Sequence, residues 1–561
     1  MNLNRFVLNK KYHFWIFLFI LLLLSGITSF IYDIDLSCGD DYAFHMSRLE
    51  ALIQSFNDGT FPSYIDCEAV YGYGYLVKPF YSDFVLIPYG IIGYLVNVDF
   101  AYQFFLFSMT VLCAVFMYNL VYKLSKSSYS ASISSLLYTF SLYRLFDVYC
   151  RAAIGEVLSF TFLPLVFLGL YYVVYGDFKK WYILAIGFSL VIMSHVISSV
   201  LLFFTVIIIS LFYYKKFIEE PKRLYYLVLS GIVTLMITVY YLLPFLEQLL
   251  SDTFYFQESA FTPSMINYFR LDIIEILKSA TDGFTNRVGV GPKLGFLLVF
   301  PLFLRFFLKR NTTNKELLKL LDILLIVGIC YIFFTSKMMS YTIFPFTSLA
   351  FIQFPSRLFE FVAFFFSIVA GCCINLVFRS YKYKLMIAVF IFISLIIVVS
   401  KSADIYIERS RYIGRMDQAR YIDKYEHLFF LGMEYYPVKL ERSTIRQFIT
   451  TRGDSVSAKY SAIINEFDRN KNITSFNVHT ETENVLELPL IYYKGYTASL
   501  NGKELPVAES AHGLVQVAVD RSGRVEAYYK GTFVQKMGFC ITILSIFALC
   551  VYIFLQKRRK V

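Results

Sequence analysis

The sequence predicts an α-helical polytopic membrane protein of about twelve spans, with an extracytoplasmic C-terminal α+β domain that contains a small β-sandwich. Three observations predict this fold class. Apolar runs of about 17–22 residues recur along the chain, short clusters of Lys and Arg separate them, and alternating segments near the C-terminus indicate strands. The chain has 561 residues and is 57% hydrophobic, which excludes a soluble enzyme with a single anchor.

The first apolar run, from Phe14 to Ile31, is interpreted as a retained span. It follows Arg5, Lys10 and Lys11 and could pass for a signal peptide. It is long, however, and no small-residue cleavage site follows it.

The basic clusters predict the topology. The formal net charge of +11 comes mostly from clusters between spans, as the positive-inside rule expects, so nucleic acid is excluded as a partner. With every cluster and both termini in the cytoplasm, the number of crossings between successive clusters must be even. The clusters are Lys123/Lys126, Lys179/Lys180, Lys215/Lys216 with Lys222/Arg223, Lys309/Arg310 with Lys315/Lys319, Arg379/Lys382/Lys384, and Lys557 to Lys560. The predicted spans are near 14–31, 101–122, 131–147, 157–175, 182–196, 198–214, 224–246, 294–308, 320–335, 358–378, 384–400 and 537–556.

Two segments fit this topology less simply. Residues 84–97 are apolar but contain Pro88 and Gly90, which favours an interfacial or re-entrant piece. Residues 181–214 are barely long enough for two thin spans and must turn near His195.

The topology divides the chain into a transmembrane domain (1–400), an extracytoplasmic domain (401–534), and a final span with a basic cytoplasmic tail (535–561). The other predicted outer segments are 32–100, 247–293 and 336–357. The domain 401–534 begins helical and charged and then alternates as strands do, with a hairpin signal at Asn501-Gly502.

The acidic pair Asp40-Asp41 is the first candidate for catalysis. It follows the first span directly, on the predicted outer face, and could act as a general base or bind a divalent cation. The alternative is a pair of solvated loop charges. An amphipathic helix follows, and it carries His45 and Arg48 as candidate substrate-binding residues. A disulfide between Cys38 and Cys67 is a further expectation for an outer loop.

Other candidate substrate-binding residues lie where predicted spans meet the outer face. Arg151 and Glu156 lie where the third and fourth spans join. Charged residues at such a place must form an ion pair or face water. His195 lies at the predicted outer turn, and alone it is more often a packing residue.

Gln353, Arg357 and Glu360 begin the tenth span. Arg357 could bind a phosphate or extend to lipid headgroups. If neither Arg151 nor Arg357 binds phosphate, structural salt bridges to Glu156 and Glu360 are the simplest explanation of the outer charge cluster. Tyr73 and Tyr81 could stack on a sugar or form an interfacial belt.

The distribution of charge distinguishes function classes. The ionisable residues lie at the outer ends of the predicted spans, whereas a proton-coupled transporter normally needs them at mid-membrane. This pattern favours an enzyme that acts at the outer leaflet on a lipid-linked substrate with a polar head.

Several segments resemble a known bacterial family in order along nearly the whole chain. The chain is similar to the membrane proteins labelled "6-pyruvoyl-tetrahydropterin synthase-related", which overlap the YfhO-like family and resemble GT-C glycosyltransferases. The label implies no pterin chemistry. The segments are GDDYAFHMSRLEALIQSFNDGTFPSYI, YGYGYLVKPFYSDFVLIPYGII, DVYCRAAIGEVLSFTFLPLVFLGL, FIQFPSRLFEF and LIYYKGYTASLNGKELPV.

The resemblance implies roles for particular residues. The family's acidic residue before a Phe-His pair corresponds to Asp41, which would activate the acceptor hydroxyl, or bind a metal as in some branches. Asp40 stands where the family often has His, and Ser356 where it has Trp. Arg151 or Arg357 would stabilise the leaving lipid phosphate.

The sequence and the resemblance together predict a membrane glycosyltransferase of the bacterial cell envelope, located in the plasma membrane. It would transfer a sugar from a polyprenyl-phosphate donor to an envelope glycopolymer or lipid, with inversion. A lipid or polysaccharide transporter and a non-enzymatic assembly protein are the alternatives.

Overall fold

The computed structural model describes residues 10–30, 39–258, 261–281, 291–308, 315–419, 433–441 and 455–558, with only the backbone described at 10–13 and 406–419. Cys38 lies outside these ranges, so its disulfide with Cys67 stays a prediction. Much of the charged start of the C-terminal domain lies outside them as well.

Helices make up most of the described residues, as the sequence predicts. The α-helices are α1 (Lys10–Phe30), α2 (Tyr42–Asn57), α3 (Ile87–Leu95), α4 (Val98–Ser125), α5 (Ser128–Thr139), α6 (Leu142–Phe146), α7 (Ile154–Val174), α8 (Tyr182–Ile192), α9 (Val196–Phe212), α10 (Tyr214–Glu219), α11 (Lys222–Ser251), α12 (Tyr255–Glu258), α13 (Pro263–Tyr268), α14 (Ile273–Ser279), α15 (Phe296–Val299), α16 (Lys315–Thr335), α17 (Phe359–Val377), α18 (Tyr381–Ala419) and α19 (Phe533–Arg558). A π-helical turn spans Asp147–Arg151, and 3₁₀ turns include Phe300–Phe307, Phe346–Ile352 and Pro355–Leu358.

Seven helices in the described part of the chain are long and apolar enough to cross a membrane. They coincide with predicted spans. The other predicted spans match helices that are shorter or interrupted, so the count of twelve stays a prediction. The seven are Val98–Ser125, Ile154–Val174, Lys222–Ser251, Lys315–Thr335, Pro355–Val377, Tyr381–Ile405 and Phe533–Arg558.

The chain forms two compact units, each built from separate stretches of sequence. Unit 1 comprises Met1–Tyr42, Tyr102–Thr234 and Phe261–Arg420, and unit 2 comprises Ala43–Ala101, Leu235–Ala260 and Tyr421–Val561. Each unit contains residues from before and after residue 400. The predicted division of the chain into residues 1–400, 401–534 and 535–561 stays a prediction.

Unit 1 is a bundle in which glycines allow helices to approach closely. A Cβ at Gly169 of α7 would lie 2.2 Å from the backbone nitrogen of Leu184 in α8, and one at Gly371 of α17 would lie 2.2 Å from Ser134 Oγ in α5. Small residues at such contacts are typical of helix packing in membranes. The close contacts help fix the positions of α7 and α17, which carry charged residues of the candidate site.

Unit 2 contains the expected β-sandwich. One sheet has the strand order β1-β4-β8-β7 and the other β2-β3-β9-β5-β6, with antiparallel pairing throughout. Buried residues of both sheets, among them Phe476, Leu486 and Val517, form one core. The Asn501-Gly502 hairpin joins β5 to β6, as predicted. The strands are β1 (Ser457–Ala458), β2 (Ile463–Asn470), β3 (Ile473–His479), β4 (Asn484–Ile491), β5 (Tyr496–Leu500), β6 (Lys503–Leu505), β7 (Val507–Glu509), β8 (Leu514–Val519) and β9 (Gly523–Tyr529).

Candidate functional site

The turn that carries Asp40 and Asp41 is bound to the π-helical turn through the backbone. The Asp40 amide donates to the Cys150 carbonyl at 3.2 Å, and the Asp41 amide donates to the Arg151 carbonyl at 2.8 Å. A Cβ at position 39 would lie 2.4 Å from the Cβ of Ala152, so only glycine allows this approach. Backbone contacts therefore place the acidic pair beside Arg151.

Two arginines converge on one buried carboxylate in unit 1. Arg151 Nη1 lies 2.7 Å from Glu156 Oε1, and Arg357 Nε lies 2.8 Å from the same oxygen. Arg151 also pairs with Asp147 at 3.0 Å, and Tyr143 donates to Glu156 at 3.1 Å. Glu156 is 1% exposed, so its charge is compensated by these partners instead of by water.

The remaining bonds of Arg357 hold its own segment in place. Its Nη1 donates to Gln353 Oε1 at 2.7 Å and to the Ile352 carbonyl at 3.0 Å, and its guanidinium lies over the ring of Phe354. Gln353 itself has a positive φ of 61°, so the chain turns sharply just before the span. The guanidinium is therefore fixed in position beside Glu156.

Glu360 is bonded to hydroxyls instead of to an arginine. It accepts from Ser159 at 2.6 Å and from Ser198 at 2.8 Å. The Ser198 hydroxyl also lies 2.8 Å from His195 Nδ1. Of the structural salt bridges suggested for the two arginines, those to Glu156 are formed, whereas Glu360 accepts hydrogen bonds from Ser159 and Ser198.

His195 caps the helix that follows the predicted turn. Its side chain accepts from the Ser198 amide at the start of α9, and α8 ends at Ile192, so the chain turns between these helices as predicted. His195 thus joins the site through Ser198 and Glu360.

Burial and neighbouring charges set the protonation of Asp41. Burial raises the pKa of this carboxyl to about 6, more than the nearby Arg151 and Arg357 lower it, and Glu156 and Asp40 raise it further. A base with a pKa near 6 is ionised at neutral pH and retains enough basicity to accept a proton. The site can therefore combine a base with two arginines suited to an anion.

His45 and Arg48 belong to a different cluster, within unit 2. Arg48 pairs with Asp83 at 2.6 Å, lies 3.1 Å from His45 Nδ1, and stacks over the ring of Tyr81 at 4.4 Å. Arg48 and His45 are 3% and 2% exposed. These contacts hold α2 against the following loop, and they account for His45, Arg48 and Tyr81 without a substrate.

Tyr73 is a core residue of unit 2. It is 4% exposed and packs with Ile491 and Tyr529 in a cluster of buried aromatic and aliphatic side chains. Its ring is buried, so it does not offer a surface for stacking on a sugar.

Asp147, Tyr143, Ser159 and Ser198 belong to the site and were not singled out from the sequence. Asp147 is fully buried, and one of its carboxylate oxygens has no hydrogen-bond partner among the described residues. The one sequence signal is its spacing of four residues from Arg151, which suits an ion pair. The sequence around Tyr143, Ser159 and Ser198 contains no comparable spacing that would single them out.

Metal binding at Asp40 and Asp41 stays a prediction. Across the described residues, no group of three or more His, Cys, Asp or Glu side chains is arranged to hold a metal ion. The arginines provide the positive charge that a cation would otherwise supply beside Asp41.

Comparison with known proteins identifies no family. No family model matches the chain, and no solved structure matches it. An uncharacterized protein of Lactococcus lactis subsp. cremoris (strain MG1363) is 25% identical over 198 residues, which cover 34% of this chain and 32% of that protein. The chain thus aligns with about a third of the relative's length.

Proposed function

We propose that the protein is a GT-C-like membrane glycosyltransferase that takes a sugar from a polyprenyl-phosphate donor and adds it to a bacterial envelope glycopolymer or lipid. One observation carries this proposal. Asp41, the predicted base, lies in unit 1 with both arginines predicted to hold phosphate, Arg151 and Arg357. These residues are far apart in sequence, and the resemblance assigns Asp41 and one of the two arginines to a single reaction.

The proposed step is a single inverting displacement. The acceptor hydroxyl oxygen forms a bond to the anomeric carbon of the donor while the bond from that carbon to the phosphate oxygen breaks. The hydroxyl proton passes to Asp41, and the electron pair leaves with the lipid phosphate. Negative charge grows on that phosphate, where a guanidinium is well suited to bind it through two hydrogen bonds.

Glu156 has a positioning role in this scheme. It holds both guanidinium groups through one oxygen. Arg151 has the more exposed side chain, 14% against 8% for Arg357, and is the better placed to accept a phosphate from outside the cluster. Gln353 accepts a hydrogen bond from Arg357, and His195 lies beside the Ser198 hydroxyl, which donates to Glu360.

Analysis of a deletion strain tests the proposal. Mass spectrometry of envelope glycans and of lipid-linked sugars should show one sugar missing from a polymer or lipid and its donor accumulating. Wild-type protein should reverse both changes, and Asp41→Asn at equal abundance should reverse neither. Unchanged glycans and donors in the deletion strain would contradict the proposal.

A proton-coupled lipid or polysaccharide transporter is the second candidate. Glu360 favours it as a buried carboxyl bonded to hydroxyls of two other helices, but it lies in the first turn of α17, whereas proton coupling normally uses ionisable groups at mid-membrane. Transport predicts that Glu360→Gln abolishes substrate movement into proteoliposomes. The glycosyltransferase proposal instead predicts that the glycosylated product forms without a proton gradient.

A further inference from the structure

A short segment of unit 2, residues 433–441, contacts both the end of α11 and the β-sandwich. Its Val438 amide donates to the Thr253 carbonyl at 2.9 Å, just beyond the end of α11. The turn between β7 and β8 approaches the same segment, since a Cβ at Gly513 would lie 2.9 Å from the Leu440 nitrogen. Residues that follow α11 and residues at the end of β7 therefore meet at this segment.

Two carboxyl groups lie at this junction. Asp252 directly follows α11, and Glu509 is the last residue of β7. Glu509 is paired with Lys439 of the segment, and its carboxyl group is within hydrogen-bonding contact of that of Asp252. One oxygen of each carboxyl group, Asp252 Oδ2 and Glu509 Oε1, is buried and has no hydrogen-bond donor among the described residues. Such a pair is costly when both groups are ionised, and one proton between them removes the repulsion and supplies the missing donor.

The ionisable groups around Glu509 act in opposite directions. Burial raises the pKa of Glu509 above its usual 4.5 and the charge of Asp252 raises it further, whereas Lys439 lowers it. Tyr492, just after β4, interacts with the same three side chains, and His512, in the turn after β7, is paired with a glutamate of β4 instead. The folded state therefore favours protonated Glu509. This stabilisation is complete below about pH 4.5 and is lost as the pH rises through the raised pKa.

We propose that Asp252 and Glu509 form a proton-controlled latch between the end of α11 and the β-sandwich. When Glu509 carries a proton, its hydroxyl donates to the Asp252 carboxylate and the latch is closed. When the proton leaves, Glu509 keeps its pair with Lys439, which is 56% exposed, so this surface pair contributes little. Both carboxyl groups belong to predicted outer segments, so the proton would come from the medium outside the cell. The latch does not depend on the proposed transfer reaction.

Hydrogen–deuterium exchange of the full-length protein in lipid nanodiscs tests the latch. Exchange of peptides that cover 252–258 and 433–441 is measured at pH 5 and pH 7.5 and corrected for the intrinsic effect of pH, with peptides of β3 and β9 as the internal reference. Protection of both segments should be about threefold or more higher at pH 5, which is the size expected for one additional hydrogen bond. Equal protection at the two pH values would overturn the proposal. Calcium ions that reproduce the effect of acid at pH 7.5 would also overturn it, because a cation would then join the carboxylates.

Amide substitutions assign the effect to this pair of residues. Glu509→Gln and Asp252→Asn each place a permanent N–H donor between the two side chains, so each variant should keep the higher protection at both pH values. Glu504→Gln is the matched control, because Glu504 is an exposed carboxylate of β6, and this variant should retain the pH dependence of the wild type. Wild-type pH dependence in either Glu509→Gln or Asp252→Asn would reject the latch, so one variant decides the point if the other fails to fold.

Discussion

Asp41 and Glu156 are carboxylates in one cluster with different surroundings. Glu156 is paired with two arginines and a tyrosine, so it is suited to hold charge in place. Asp41 is held by its backbone, and burial raises its pKa to about 6. A raised pKa and a backbone anchor suit a group that must accept a proton without moving.

Replacing Asp41 should slow transfer strongly without unfolding the protein. Loss of a general base typically costs about 10²–10⁴-fold in rate, so Asp41→Asn should fall in that range. The measurement is transfer in membranes, normalised to protein level, with Asp40→Asn assayed separately. Wild-type transfer by both variants would exclude a catalytic role for either aspartate.

The rate of transfer should depend on pH through Asp41. A base with a pKa of about 6 is mostly ionised at pH 7 and mostly protonated at pH 5, so the rate should be about tenfold lower at pH 5. The contribution of Asp41 to the free energy of unfolding changes with pH in the opposite direction to the rate. The raised pKa stabilises the folded state below pH 3.8, and this stabilisation is lost as the pH rises to about 6.

Thermal unfolding of the wild type and of Asp41→Asn provides the control for the pH experiment. At pH 7 Asp41→Asn should unfold at the same or a higher temperature, because it removes a buried charge. A pH profile that stays flat between 5 and 7 in the wild type would show that Asp41 is not the base.

Lysine substitutions should separate phosphate binding from structural pairing. If Arg151 or Arg357 holds the donor phosphate, lysine loses the second parallel hydrogen bond, and donor use at limiting concentration should fall roughly tenfold. Arg305→Lys is the matched control, since Arg305 makes two bonds to Asp322 in the same unit, at 2.7 and 2.9 Å. If Arg151→Lys and Arg357→Lys both match this control, neither arginine binds the phosphate.

At the scale of elements, the sequence predicts turns and helices but does not determine the long-range contacts that tertiary packing creates. The Asn501-Gly502 hairpin follows from a short-range turn signal, and the turn near His195 follows from the basic residues on both sides of a segment barely long enough for two spans. The structure confirms both turns. The pairing of Arg357 with Glu156 joins residues 201 positions apart, so the sequence could offer it as an alternative but no spacing rule could select it. The burial of Tyr73 is also a tertiary effect, because its glycine-flanked segment reads equally well as an exposed loop.

The close contact between α7 and α8 should be intolerant of any added side chain. A Cβ at Gly169 would lie 2.2 Å from a backbone atom, which a rotamer change cannot relieve. Gly169→Ala should therefore destabilise the protein by about 1–3 kcal/mol, the usual cost of overpacking. Thermal unfolding followed by size-exclusion chromatography measures it.

Gly231 provides the matched control for this helix contact. It lies within α11, and a Cβ there would meet nothing within 4 Å. Gly231→Ala should be neutral or stabilising by up to about 1 kcal/mol. Equal stability of the Gly169→Ala and Gly231→Ala proteins would show that α7 and α8 do not pack as described.

At the scale of the whole molecule, the proposed reaction requires a particular orientation. A polyprenyl-phosphate donor presents its sugar at one membrane face, so the acidic pair and the C-terminal domain should both lie outside the cell. The basic clusters predict this arrangement, with Lys557 and Arg558 at the end of α19 in the cytoplasm.

Single cysteines in a protein without native cysteines test this orientation. Lys503, exposed at the β5–β6 hairpin, and Lys557, exposed at the end of α19, are suitable positions. A membrane-impermeant maleimide added to intact cells should label Lys503→Cys, while Lys557→Cys should label only after permeabilisation. The opposite result would place the β-sandwich in the cytoplasm. Because α19 joins the sandwich to the basic tail, labelling at both positions in intact cells would mean that this helix does not cross the membrane.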